Sequence, residues 1–296
     1  MHIFITGATG LIGSHLCPFL LHHNQVTVLS RNTTKANVLL SHKVHAVNDI
    51  NLVDFNTVDI VINLAGEPIV NKRWSDKQKQ IIRDSRIGIT KQISAAINAC
   101  SKPPHTFISG SAVGFYGRQN SQSIDESFEN PHHEFSHQLC KDWENAALLA
   151  QSEQTRVCLL RTGIVLAKKG GALSKMLPAF KLCLGGPIGD GEQGMSWIHI
   201  DDMLQLILFV IKHPEISGPV NATAPNPVSN AQFSKSLGEA LSRPAFIPMP
   251  VAVLKILMGE MSDLLTTGQF VIPHKAQTNK YRFHYPDIKS ALESLV

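Results

Sequence analysis

Three glycines within eight residues place the tightest limit on what this chain can fold into. Thr6-Gly7-Ala8-Thr9-Gly10-Leu11-Ile12-Gly13 follows a short β-branched and aromatic run at 3–6 and precedes apolar residues at helical spacing over 11–22. The pattern reads as strand, glycine turn, helix. A side chain at Gly7 or Gly10 would obstruct the tight turn or the approach of a pyrophosphate to backbone N–H groups, and one at Gly13 would hold the helix off the strand. The helix N-terminus, with its free N–H groups and positive dipole end, then faces the phosphates. Gly7, Thr9, Gly10, Leu11, Ile12 and Gly13 are therefore expected to cradle a dinucleotide. Pro18 falls inside the expected helix and predicts a kink or a lost hydrogen bond there.

The same cradle accounts for residues 1–30, which contain no Asp, Glu, Lys or Arg. A signal peptide would begin with cations, and a membrane span needs about 20 predominantly apolar residues, whereas here glycines, Asn24 and several histidines interrupt the run. The chain is expected to be neither exported nor membrane-spanning. Its five cysteines are an odd number, widely spaced and without CxxC, so a reducing, cytoplasmic setting is expected, with no disulfide framework. A net charge of +4 with no basic block argues against nucleic-acid binding. His132, His133 and His137 lack the carboxylate or cysteine that would complete a ligand spacing, so no metal site is expected.

Further strands are expected at 26–29, 58–64, 105–109 and 157–165, separated by helix-compatible stretches at 75–100 and 135–151. Alternation of this kind predicts an α/β chain with a Rossmann-type doubly wound parallel sheet. Gly- and Pro-rich connections after residue 165 predict a smaller C-terminal α+β substrate lobe. The expected division is a dinucleotide-binding domain over 1–165, to which 196–225 contribute, and a lobe of 166–195 and 226–296 that includes a C-terminal module at 243–296. Asp201 or Asp202 is expected to cap a helix running to His213, and Ser229 one running to Arg243.

At the end of the second expected strand an acidic residue would receive the adenosine ribose hydroxyls of NAD. This chain has Ser30-Arg31 there. A guanidinium binds a 2′-phosphate bidentately where a carboxylate would repel it, so NADP(H) is favoured, with NAD(H) as the alternative.

With these features, the chain resembles the extended, nucleotide-sugar-epimerase-like branch of the short-chain dehydrogenase/reductase superfamily. The resemblance narrows to the atypical YfcH-like epimerase family proteins, which carry a C-terminal domain of unknown function. It rests on TGATGLIG at 6–13, NLAGEPI at 63–69, RDSRIGIT at 83–90, SGSAVGFYG at 109–117, LCKDWE at 139–144, LLRTGIVL at 159–166, GGPIGDGEQGMSWIHIDD at 185–202 and RPAFIPMP at 243–250, which run nearly end to end. It implies that Leu64, Ala65 and Gly66 lie beside the cofactor, with Glu67 and Arg73 on a cleft loop.

The superfamily's usual catalytic set is a Ser or Thr with a Tyr and a Lys as YxxxK, because residues at i and i+4 share a helix face and the ammonium lowers the phenol's pKa. The resemblance places Ser111 in the serine role, with Ser109 as its close alternative. The tyrosine is missing: counting back four from Lys141 gives His137. Either His137 or Tyr116 could then carry the proton, with Lys141 holding the nicotinamide ribose; otherwise His137 is a partly exposed helix residue and Tyr116 shapes the site. His199 is read as a strand residue at the lobe junction that could face the cleft. Two functions remain open: an NADP-dependent oxidoreductase or epimerase acting on a polar, sugar-nucleotide-like small molecule, or an NADP(H)-binding sensor or partner-binding protein with little turnover.

Overall fold

The computed structural model describes residues 1–296. Its first part alternates β1 (His2–Thr6), α1 (Leu11–Leu20), β2 (Gln25–Leu29), α2 (Thr33–Leu39), β3 (His45–Val47), β4 (Ile60–Asn63), α3 (Asp76–Arg83), α4 (Ile89–Asn98), β5 (Thr106–Ala112), β6 (Ser123–Ile124), α5 (Phe135–Leu148) and β7 (Arg156–Thr162). Then follow β8 (Ile164–Leu166), α6 (Gly171–Lys181), β9 (Gly194–Met195), β10 (Trp197–His199), α7 (Ile200–Lys212), β11 (Gly218–Ala222), β12 (Val228–Ser229) and α8 (Asn230–Leu241). The chain ends with α9 (Val251–Met258), α10 (Asp263–Thr266), β13 (Phe270–Val271), α11 (His274–Thr278) and α12 (Ile288–Glu293).

Seven strands form one sheet in the order β3-β2-β1-β4-β5-β7-β11, and every pair is parallel. The strand order reverses between β1 and β4, so a crevice opens there at the carboxyl ends of the strands. β1 shows why the sheet is buried on both faces. Ile3 and Ile5 pack with Leu16 and Leu20 of α1 and Met203 and Leu206 of α7, while Phe4 points the other way into Phe107, Ile93 and Ile97. Continuous apolar strands follow from that double cover. A second core is built on Trp197, Phe233, Leu237 and Leu292.

Several local expectations change. β3 was not anticipated. β5 runs to Ala112, so Ser111 is a strand residue. The expected strand at 157–165 is divided at Gly163, where a Cβ would meet the Ser196 carbonyl at 2.5 Å, and β8 pairs instead with β10. The stretch at 75–100 is α3 and α4 joined by a π turn over Asp84–Gly88. Pro18 sits on the exposed side of α1, which continues to Leu20. No helix is long and apolar enough to cross a membrane.

Ser229 caps α8 as expected, accepting from Gln232 N at 3.2 Å. The cap of α7, however, is His199, whose Nδ1 accepts from Asp201 N at 3.1 Å. Asp202 is fully buried and accepts from the N–H groups of His284 and Tyr285, both at 2.8 Å, which ties the C-terminal segment to α7. His199 is buried against Tyr285, at 3.9 Å between ring centroids, with Nε2 on Ser294, so it faces the C-terminal segment rather than the cleft. Burial lowers its pKa, against the opposing pull of Asp201 and Asp202. A base whose folded pKa lies below its unfolded value of about 6.5 lends stability above that value and loses it as pH falls. The thermal midpoint is therefore expected to drop below about pH 6.5, and His199→Asn, which keeps a capping acceptor without titrating, flattens that part of the profile.

Candidate functional site

The glycine turn closes against the start of the β4–α3 connection. Gly7 has φ +71°, and a Cβ there would stand 2.4 Å from the Leu64 carbonyl oxygen. A Cβ on Gly13 would stand 2.4 Å from the Gly7 carbonyl oxygen and 2.5 Å from Ala8 Cα, so α1 lies directly on the turn. Gly10 is the N-cap of α1, with no side-chain cap and no acidic residue in the first turn. Thr9 and Gly10 are exposed, while Leu11 and Ile12 are half-buried against the sheet core. An open, uncapped helix N-terminus suits a pyrophosphate.

Leu64 N donates to the Thr6 carbonyl at 3.1 Å. Thr6 Oγ1 donates to Asn63 Oδ1 at 2.6 Å, and Asn63 Nδ2 donates to Thr90 Oγ1 at 2.7 Å. Leu64, Ala65 and Gly66 thus share one rim with the glycine turn. At the end of β2, Ser30 N donates to the Val47 carbonyl at 2.9 Å. Asn32 caps α2 through Lys35 N at 2.8 Å. Arg31 between them is exposed and forms no ion pair or hydrogen bond, so this corner fits an added phosphate.

A buried polar network lies at the carboxyl ends of β5 and β7. Ser111 Oγ donates to Glu144 Oε1 at 2.7 Å. Arg161 grips the same carboxylate, Nε to Oε1 and Nη2 to Oε2, both at 2.9 Å, and its Nη1 donates to Tyr116 Oη at 3.1 Å. Tyr116 Oη donates to Asn221 Oδ1 at 2.8 Å. Burial pushes the Tyr116 phenol up to about 12 despite the opposing pull of Arg161 and Asn221. Both sides of its hydroxyl are already engaged, which removes it as a ready proton carrier near neutral pH.

The face of α5 turned toward this network carries Glu144, Cys140 and Ser136, spaced four apart. A Cβ on Gly114 would meet Ser136 Cβ at 3.2 Å and Cys140 Sγ at 3.6 Å. His137 lies beside that face, buried, with Nδ1 on the Phe115 carbonyl and Nε2 without a partner. Lys141 is exposed and bonded to nothing. The structure therefore does not bring His137 and Lys141 together with Ser111. The sequence reading was displaced by one residue, because i and i+4 spacing identifies shared faces without saying which one meets β5. His137 also departs from the alternative of a partly exposed residue. Ser109 is buried and turns its hydroxyl to the Gly110 carbonyl at 3.3 Å.

Burial, reinforced by Glu144, pushes the Cys140 thiol up to about 12. Native-state alkylation near pH 8 is expected to leave Cys140 unmodified while the half-buried Cys183 reacts, as peptide mass mapping would show.

Glu67 is half-buried, with its N–H on Ser85 Oγ at 3.0 Å. Arg73 is exposed and leans on Gly259, where a Cβ would meet its Nε at 2.7 Å. A Lys79–Glu260 pair joins α3 to the same region, and an Arg118–Asp263 pair joins the segment after β5 to α10, so the connections that follow β4 and β5 are both strapped to the region around α9 and α10. Glu144, Arg161 and Asn221 carried no assigned role in the sequence. A charge inside the otherwise apolar stretch 157–166 was the available signal for Arg161, whereas Glu144 follows Lys141 and Asp142 and does not stand out.

Residues 3–222 match the NAD dependent epimerase/dehydratase family, and residues 249–295 match a domain of unknown function, DUF1731. An epimerase family protein of Mycobacterium leprae is 39% identical over 291 residues, which span 98% of this chain and 94% of its own. The crystal structure of human epimerase family protein SDR39U1 (isoform 2) with NADPH aligns at TM-score 0.91 and 32% identity, over 100% of this chain and 99% of that one. A Bacillus cereus UDP-glucuronic acid 4-epimerase, in complex with UDP-glucuronic acid and NAD, aligns at TM-score 0.79 and 21% identity over 99% and 97% of the two chains, a likeness of fold alone.

Proposed function

Because the chain belongs to the NAD dependent epimerase/dehydratase family, we propose that it is an NADP(H)-binding oxidoreductase or epimerase of the extended short-chain dehydrogenase/reductase type, acting on a polar, sugar-nucleotide-like small molecule. The observation that carries this reading is the pairing of an uncapped glycine-turn helix with the free guanidinium of Arg31 at the end of β2. The human relative crystallised with NADPH supports the choice of cofactor. Gly7, Thr9, Gly10, Leu11, Ile12 and Gly13 would hold the pyrophosphate, and Ser30 with Arg31 the 2′-phosphate. Leu64, Ala65 and Gly66 would flank the nucleotide, with Glu67 and Arg73 on the loop that closes the cleft. Residues 166–195 and 226–296 would supply the substrate side.

A bound nicotinamide supplies or accepts a hydride. Ser111, with its proton on Glu144, offers lone pairs that orient a substrate hydroxyl. As a hydride leaves a substrate alcohol, its hydroxyl proton would pass to Ser111 Oγ while the Ser111 proton passes to Glu144, and reduction would run the relay in reverse; Lys141 and Tyr116 take no proton in this reading.

Titration of the protein with NADPH and NADH tests the premise. Arg31→Asp is expected to erode the preference for NADPH by roughly 10- to 100-fold, the worth of one or two charge-assisted hydrogen bonds. An unchanged preference removes Arg31 from the site.

A second reading, an NADP(H)-binding sensor or partner-binding protein with little turnover, is favoured by one feature. The face of α5 toward Ser111 bears Ser136 and Cys140 in place of a phenol and an ammonium. Hydride transfer across a panel of carbonyls and nucleotide sugars separates the two: turnover retires the sensor, and stoichiometric NADPH binding without turnover retires the enzyme.

A further inference from the structure

The stretch RPAFIPMP at 243–250 has no part in the site described above, and the fold leaves it bare. Every residue from Phe246 to Pro250 is exposed, Phe246 to 75%. α9 follows at once and inverts the usual arrangement of a surface helix, in which the apolar stripe faces inward. Leu254 is its buried residue, while Ala252, Val253, Ile256 and Leu257 are exposed, Ile256 to 74% and Leu257 to 67%. At 100° per residue those four share the outward face.

The segment after α6 joins the same surface. Met249 N donates to the Pro187 carbonyl at 2.8 Å and Gly189 N to the Met249 carbonyl at 3.0 Å, so 187–189 run beside 249. Gly186 lies directly on the Ile247 backbone, and a Cβ on Gly189 would meet Val251 Cγ2 at 2.9 Å. Leu182 and Leu184, 70% and 60% exposed, stand just before that junction. Apolar side chains scattered singly need no explanation. Here three adjoining segments leave on the order of several hundred Å² of apolar side chain bare, the scale at which a patch marks an interaction site.

The charges around the patch indicate its occupant. Residues 172–189 and 240–259 contain Lys175, Lys181, Arg243 and Lys255 and not one carboxylate. All four cations are exposed and none is ion-paired; Lys175 alone has a side-chain partner, Asn71 Oδ1 at 2.8 Å. The acids that bound these stretches are engaged elsewhere: Glu239 faces Lys235, Glu260 pairs with Lys79, and Asp190 accepts from Glu192 N. A second copy of this chain is therefore a poor occupant, because in an isologous contact the patch meets itself and its cations meet no carboxylate. The complement is an apolar layer edged with anions. An anionic bilayer is built that way: apolar side chains enter the acyl boundary while lysines extend their stems to the phosphates.

We propose that Phe246, Ile247, Met249 and the outward face of α9 form a docking surface by which the protein lies on an anionic phospholipid bilayer, with Lys181, Arg243 and Lys255 at the level of the headgroups. The contact is interfacial, in keeping with the absence of any helix long and apolar enough to cross a membrane. Apolar insertion and headgroup attraction act together, so each alone gives only weak attachment.

Flotation of the full chain with vesicles of phosphatidylcholine alone, and of phosphatidylcholine with about 30% phosphatidylglycerol, tests this. Wild type is expected to float with the anionic vesicles, to stay behind with the neutral ones, and to lose about tenfold in affinity as salt rises from about 0.1 M to about 0.5 M. Ile256→Ser with Leu257→Ser is expected to keep the wild-type thermal midpoint, both positions being exposed, and to bind anionic vesicles about tenfold or more weakly. Lys181→Glu with Lys255→Glu is expected to lose as much. Should the helix variant fail to fold, Phe246→Ser repeats the apolar test from the loop. Equal flotation with both kinds of vesicle overturns the proposal, since charge then plays no part. Undiminished flotation of the apolar variants overturns it too, since the attraction is then electrostatic alone. Wild type that floats with neither also overturns it, and self-association that Ile256→Ser with Leu257→Ser abolishes, read by sedimentation equilibrium, assigns the face to a second copy instead.

Discussion

Replacing Gly7 with alanine abolishes dinucleotide binding and costs the fold about 3 kcal/mol, the combined scale of one strained backbone residue and one overpacked contact. Two independent penalties meet at this residue. Its φ of +71° belongs to the left-handed region that side chains rarely enter, and the added methyl would stand 2.4 Å from the Leu64 oxygen and 2.5 Å from the Leu64 carbon. Those are backbone atoms, so relief requires the β4–α3 loop to move, and that loop forms the other half of the rim. Gly10→Ala provides the contrast. Gly10 has φ −79°, and its Cβ would meet only the Gly7 oxygen, at 3.2 Å. This variant is expected to unfold within about 0.5 kcal/mol of wild type, as exposed substitutions usually do, while its methyl intrudes where phosphates would approach the N–H groups. Chemical denaturation beside NADPH titration separates the two: Gly7→Ala loses stability and binding together, Gly10→Ala loses binding alone. If Gly7→Ala binds NADPH as tightly as wild type, the turn is not the cradle.

The contrast also shows which parts of the site were legible in the sequence. Glycines between a strand and a helix are constrained by backbone geometry over a few residues, so the turn could be read locally, as could the sign of Arg31 at the end of β2. The central strands were legible because a sheet covered on both faces demands continuous apolar runs. β3 is three residues at the sheet edge, and β11 begins Gly218-Pro219 on the opposite edge, where the pattern has nothing to bury on one side. The register of α5 was illegible for another reason. His137 with Lys141 and Ser136 with Cys140 are equally good helical pairs, and only the packing of Glu144 against Ser111 and Arg161 selects the second. The joint between α3 and α4 is a π turn, a one-residue insertion in helical phase that no periodicity announces. The cap of α7 shows the same limit, since Asp202 is a sound cap by composition but is consumed by two N–H groups more than eighty residues away.

Removing the Glu144 carboxylate is the second large effect, and it reaches both fold and site. Glu144→Ala is expected to destabilise the protein by about 3–5 kcal/mol, the usual cost of leaving a buried charge without its partner. Arg161 and Glu144 side chains are only 6% and 5% exposed, so water cannot take over the vacated positions without opening the core. The guanidinium also lies 3.5 Å from the centroid of Phe115, which leaves it little freedom to swing toward solvent. Glu144→Ala with Arg161→Met then tests the origin of the loss. Removing both charges and restoring apolar volume is expected to recover much of the stability, because desolvation of the pair offsets most of its mutual attraction. Catalysis, where it is found, should not recover with it. Ser111 loses the acceptor that orients its hydroxyl and Tyr116 loses its Arg161 donor, so the double variant is expected to fold, bind NADPH through the glycine turn, and remain impaired in hydride transfer. A double variant that stays as unstable as Glu144→Ala would show that the carboxylate matters mainly for Ser111 rather than for Arg161.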